Sequence, residues 1–91
     1  MTRTESLKEL RTIPGIGKSI AEDLYDIGIR KVADLEKKDP EKLYQQSNKL
    51  VGVVQDPCLL YTFRCAVYFA RTPNPKPELL KWWNWKDRKY S

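Results

Sequence analysis

The stretch Leu10-Arg11-Thr12-Ile13-Pro14-Gly15-Ile16-Gly17-Lys18-Ser19-Ile20-Ala21 decides how this chain folds. Pro14 ends any helix before it, because proline disfavours helical backbone in the preceding residue, here Ile13. Gly15 and Gly17 read as positions whose backbone angles other residues resist, and where no side chain shields the amides. Ile16, between them, is expected to point inward and pin the turn to the core. Beyond it, Ile20, Ala21, Leu24 and Ile27 recur at helical spacing, and Gly28 suits the left-handed position after a helix C-terminus. Ala21 is small enough to let two helices cross closely. Residues 10–29 therefore read as two short helices joined by a tight turn at 14–17.

Working outward, a helix is expected from about Glu5 to Thr12, with Thr4 or Ser6 as N-cap and Ser6-x-x-Glu9 as a capping box. A short helix from Arg30 to Lys37 offers Val32, Ala33 and Leu35. Asp39-Pro40 is an N-cap acid followed by proline at the first helical position, a strong start signal. The helix it opens carries Leu43, Tyr44, Leu50 and Val51 and stops at Gly52. Asp56-Pro57 repeats the signal for a helix to Arg71 that is apolar on nearly all sides, with Thr62 and Arg64 as interruptions. Such a helix belongs at the centre of a core or in a dimer interface. After the break at Pro73-Asn74-Pro75-Lys76-Pro77, a last helix from Pro77 to about Trp85 gathers Leu79, Leu80, Trp82 and Trp83. No alternating strand pattern is present. The expected class is all-α, five to six short helices in one domain over 1–91, with a Trp-rich basic C-terminal segment at 73–91.

Ninety-one residues leave room for one core. The longest apolar run, Cys65 to Ala70, is far short of a membrane span. No apolar stretch follows the basic residue near the N-terminus, so no secretory signal, no membrane association and a cytoplasmic location are expected. The net charge of +5 is unevenly placed. Six basic residues meet six acidic ones up to Leu35, and four meet four from Glu36 to Asp56. From Pro57 onward seven basic residues face only Glu78 and Asp87, so the whole excess lies in the last third and favours an anionic partner.

The turn carries the chemistry. With no side chain before them, the amides around Gly15 to Lys18 can converge on one oxygen-bearing anion at the start of the following helix. The alternative is a turn that merely connects two helices or docks on protein; Glu22, Asp23 and Asp26 on the same helix would repel a second phosphate. In the tail, Lys81, Lys86, Arg88 and Lys89 alternate with Trp82, Trp83 and Trp85, which suits either base stacking with phosphate contact or core capping with a solvated basic end. Cys58 and Cys65, seven apart, are too distant for a mutual disulfide and read as two small buried side chains, with a redox-sensing or intersubunit role as the alternative. The sequence has no histidine. No metal site, no cofactor, no small-molecule substrate and no catalytic constellation is therefore expected.

Position by position, Leu10-x-x-Ile13-x-Gly15-Ile16-Gly17-x-x-x-Ala21, followed by Leu24 and Ile27, resembles the helix-hairpin-helix pattern, which implies a DNA phosphate held without base reading by the backbone of Gly15, Ile16 and Gly17, helped by the Lys18 ammonium and the Ser19 hydroxyl. Together with Asp56-Pro57-Cys58, the stretch Leu60 to Tyr68 and the Trp-rich end, the chain resembles the small bacterial "pathogenicity locus" family, some of whose members carry a mitomycin-resistance label. The fold so implied is a SAM-like, helix-hairpin-helix domain, similar to the C-terminal domain of the TfoX competence regulators. In paired domains of this type a second hairpin mirrors the first. Val51-Gly52-Val53 is the candidate remnant, with Val54 standing where the second glycine would be. These readings give a non-specific DNA-binding module as the first expectation. A protein-interaction or homodimerisation module is the alternative.

Overall fold

Thr2, rather than Thr4 or Ser6, opens the first helix of the computed structural model, which describes residues 2–88. The Thr2 hydroxyl accepts from the Glu5 amide at 3.2 Å, and the Glu5 carboxylate accepts from the Thr2 amide at 3.0 Å. This reciprocal cap starts α1, Arg3–Leu10. The expected box on Ser6 does not form because Ser6 is wholly buried. Glu9, freed from it, accepts from the Val32 amide at 2.6 Å and ties α1 to a later turn.

The turn then forms as its composition predicts, with one correction. Gly15 has φ +84°, a conformation side chains resist, whereas Gly17 has φ −93° and ψ −170°, extended backbone open to any residue. Ile16 is buried, and its amide donates to the Ile13 carbonyl at 3.1 Å. Helix α2, Lys18–Asp26, follows. It buries Ala21 and Leu24 completely and ends before Gly28 at φ +98°. The Ile29 amide returns to the Leu24 carbonyl at 2.9 Å, which satisfies the helix end and drives Ile29 into the core.

The helix expected over 30–37 contracts to a single 3-10 turn, Val32–Leu35. Asp34 accepts from the amides of Arg30 and Lys31 at 3.0 and 3.2 Å, fixing a tight turn rather than a longer helix. Helix α3, Pro40–Val51, starts on Asp39 and stops at Gly52, φ +88°, as its signals require. Its last apolar residues are another matter: Leu50 and Val51 point to solvent, 60% and 54% exposed. Helix α4, Pro57–Arg71, is capped by Asp56 and is the central element, buried continuously from Thr62 to Val67. It packs on α3, on the 32–35 turn and on the C-terminal segment.

That segment is not one helix. Two 3-10 turns, Pro77–Leu80 and Trp82–Trp85, flank Lys81, whose backbone is extended. The break lets Trp85 fold back: its indole N–H donates to the Leu79 carbonyl at 2.8 Å and its ring lies 5.4 Å from that of Tyr68. A continuous α-helix would have committed that carbonyl to the amide of residue 83. Among the described residues there are thus four α-helices, three 3-10 turns and no strand, an all-α protein. None of these helices is long and apolar enough to cross a membrane.

Candidate functional site

The first backbone bond into α2 runs from the Ala21 amide to the Gly17 carbonyl at 3.0 Å. The amides of Lys18, Ser19 and Ile20 before it therefore have no carbonyl four residues back. Gly17 occupies the N-cap position and supplies no side-chain acceptor. Three donors are left at the positive end of a helix dipole. Gly15, Gly17, Lys18 and Ser19 are all exposed here, while the Ile16 side chain is inside and its amide, expected to face the anion, is already committed to the Ile13 carbonyl, so the free donors start at Lys18.

Beside this helix start lies a cleft of about 380 Å³ lined by Thr4, Leu7, Lys8, Arg11 and Lys18. Sequence reasoning singled out Lys18 and missed Lys8 and Arg11, which come from the end of α1. The signal was the three-residue spacing of Lys8 and Arg11, which puts both on one helical face. A count of charges along residues 1–35 gives zero, but the fold sorts them. Lys8, Arg11 and Lys18 gather at the cleft, and the Glu22 carboxylate meets Arg3 at 3.7 Å. Asp23 is held above the usual carboxylate range by partial burial, then by Asp26 and Glu22.

Of the basic tail residues, Lys81, Lys86 and Arg88 are exposed, and Lys89 lies outside the described residues. Arg64, counted with them from the sequence, is not a surface charge. It is 5% exposed, donating to the Trp85 carbonyl at 2.8 Å and to the Glu41 carboxylate at 3.2 Å. It bolts the C-terminal segment and α3 to α4. A buried guanidinium with both partners in place is costly to disturb.

The tail also reaches the turn. A Cβ placed on Gly15 would stand 3.4 Å from Trp82 Cδ1 and 3.9 Å from Thr62 Cγ2. Trp82 thus covers the turn, while Trp83 meets Trp82 edge-on at 5.7 Å and is itself 55% exposed. The expectation that Trp82 and a neighbour close the core holds for Trp85, which is buried, and only partly for Trp82.

The two cysteines part company. Cys65 is buried, its thiol pushed up to about 11 by desolvation and facing the Leu79 carbonyl at 3.5 Å. Cys58, expected to be buried, is exposed in the first turn of α4, where the Asp56 carboxylate raises its thiol. No three His, Cys, Asp or Glu side chains among the described residues are placed to share a metal ion.

The loop at Val51-Gly52-Val53 differs from the first turn. Val53 and Val54 are exposed, and with Asn48, Lys49 and Gly52 they line a shallow depression of about 340 Å³. The loop is held by polar side chains: the Gln55 amide donates to Asn48 Oδ1 at 2.9 Å, and the Tyr44 hydroxyl donates to the Gln55 carbonyl.

Comparison with known proteins places this geometry in a family. No solved structure gives a significant match. The chain is 35% identical over 77 residues to the mitomycin resistance protein McrB of Streptomyces lavendulae, covering 85% of this chain and 70% of that protein. The sequence profile of the pathogenicity locus family matches residues 3–90, and with a relative this similar the conclusion is direct. The chain belongs to the pathogenicity locus family.

Proposed function

We propose that this protein is a non-enzymatic, cytoplasmic nucleic-acid-binding module of helix-hairpin-helix type, within a SAM-like helical domain, that grips a phosphate without reading bases. The observation that carries this reading is the meeting of Lys8, Arg11 and Lys18 in one cleft beside the uncapped start of α2. A phosphate oxygen there accepts from the amides of Lys18, Ser19 and Ile20, and the three cations offset the remaining charge. The turn contributes by geometry: Gly15 makes the reversal, buried Ile16 fixes it, and Gly17 keeps the approach open. Lys81, Lys86 and Arg88 form a second patch on the segment that Trp82 brings to the turn. Duplex DNA is the simplest partner that presents such phosphates.

Titration of a mixed-sequence duplex at several salt concentrations tests this. Each phosphate neutralised steepens the log–log slope by about 0.9. Replacing Lys8, Arg11 and Lys18 together by Gln is expected to flatten that slope by two to three phosphate contacts' worth. Absence of binding to duplex and single strand alike at about 50 mM salt would end this reading.

One observation favours a second reading, a protein-docking or self-association module. Leu50, Val51, Val53 and Val54 form an exposed apolar group at the end of α3, of the kind that marks interfaces. Sedimentation over a concentration series tests the self-association form of it. A monomer throughout would exclude that form.

A further inference from the structure

Three tryptophans stand within four residues, and the fold treats them differently. Trp85 is buried with its N–H satisfied, and Trp82 is half-buried over Gly15. Trp83 is left 55% exposed, supported on one side by the edge of Trp82 at 5.7 Å and an interplanar angle of 87°. Its backbone is held by the 3-10 turn and by the neighbouring Asn84, whose side-chain Nδ2 donates to the Glu78 carbonyl at 2.6 Å. An indole left this far in water contributes little to the fold.

The segment that carries it is cationic. In the segment 76–88, Lys76, Lys81, Lys86 and Arg88 outnumber Glu78 and Asp87, and all six are exposed. Through Trp82 the ring is only two contacts from Gly15, and hence from the start of α2 with its unpaired amides and the cleft of Lys8, Arg11 and Lys18. An exposed aromatic face linked through one neighbour to a turn with free amides and cations is the combination that binds unpaired nucleotides, the ring taking a base and the donors the backbone. In a duplex each base face is already covered by its neighbours, so the ring has nothing to meet except at ends and openings. An apolar protein partner would bring no charge to match the surrounding cations.

We propose that Trp83 is a stacking platform and that the preferred ligand of this surface is a single-stranded polynucleotide, with one phosphate at the α2 start and an adjacent base on the indole. This rests on the phosphate reading above and names the class of strand it takes.

The experiment uses the full chain and fluorescence anisotropy with three probes at one salt concentration. They are oligodeoxyuridylate and oligouridylate of about twelve nucleotides, within the span such surfaces cover, and a blunt duplex of equal charge. One single strand, or both, is expected to bind more tightly than the duplex, and the tighter of the two identifies the sugar. Trp83→Ala is expected to weaken single-strand binding about 5- to 100-fold while leaving duplex binding within about twofold, and Trp83→Phe to recover most of the loss. Circular dichroism confirms that both variants fold, as an exposed ring permits. Equal binding of strand and duplex, with Trp83→Ala changing neither, would overturn the stacking proposal and leave the phosphate reading standing. Failure of all three probes to bind would overturn both.

Discussion

Two turns in this protein share a backbone device and differ in everything that follows it. The first reverses at Gly15, φ +84°, and enters α2 at Gly17; the second reverses at Gly52, φ +88°, and enters α4 at Asp56. In the first, Ile16 is driven into the core and no carboxylate stands at the helix start. In the second, Val53 and Val54 remain in water, the Asp56 carboxylate accepts from the Cys58 amide at 2.9 Å, and Pro57 removes a further donor. The second helix start is therefore already satisfied by its own anion. The first is not. A positive-φ glycine before a helix says nothing about anion binding; the residue at the N-cap decides whether the donors are still available.

The largest effect that separates the turns lies in their apolar residues. Ile16→Ala should lower unfolding stability by about 2–4 kcal/mol, because a nearly closed site is emptied. Val54→Ala, at 84% exposure, should stay within about 0.5 kcal/mol. Chemical denaturation of the two variants measures the contrast, and similar losses would mean the second loop is also a structural pin.

Next comes a graft of the second turn's anion onto the first. Nothing lies within 4 Å of a Cβ at Gly17, and its backbone is extended, so Gly17→Asp fits without strain. The new carboxylate should cap the α2 amides as Asp56 caps α4, leaving stability unchanged or slightly raised. Nucleic-acid affinity should fall tenfold or more, about 1.4 kcal/mol, since the phosphate's place is taken. Unchanged affinity in a folded Gly17→Asp would remove the α2 start from the binding surface.

The shared device is expected to respond alike in both places. Gly15→Ala and Gly52→Ala should each cost about 1–2 kcal/mol, the strain of a side chain at positive φ. Gly17→Ala, lacking that strain, should cost less than either. Thermal unfolding of the three variants ranks them; a Gly17→Ala loss as large as the others would contradict its extended conformation.

The smallest difference is in pH response. The Cys58 amide holds the Asp56 carboxyl below the ordinary carboxylate range. The stability this gives is present above that range and is lost as pH falls through the lowered value. Asp56→Asn should therefore flatten the acid limb of the stability curve. Replacing Ser19 by Ala in the first turn of α2 should leave that limb unaltered, because no carboxylate caps that helix.

Much of the fold was readable from local signals. Asp39-Pro40, Asp56-Pro57, Gly28 and Gly52 mark helix ends where the structure has them, since a cap acts over one turn and needs no distant partner. The misplacements have long-range causes. Ser6 is buried and cannot cap; Glu9 is taken by the Val32 amide twenty-three residues on; Trp85 folds back to Leu79 and breaks the last helix. Leu50 and Val51 sit at helical spacing with Leu43, yet α3 outruns the element that covers it. At the turn, the exposure of Gly15, Gly17, Lys18 and Ser19 follows from one short motif, whereas the loss of the Ile16 amide to the Ile13 carbonyl does not. Lys8 and Arg11 were not legible, because their place beside Lys18 depends on how α1 crosses α2.

The sequence by itself determined the all-α class, the helix starts and stops, and the turn at 14–17, because proline, glycine and capping acids act on the backbone within a few residues of themselves. Only the tertiary structure decided which charges face a common cleft, that Arg64 is an internal bolt rather than a surface cation, and that Trp82 covers the turn while Trp83 does not. Those outcomes depend on which helices meet and at what depth, and such contacts join residues far apart in the chain.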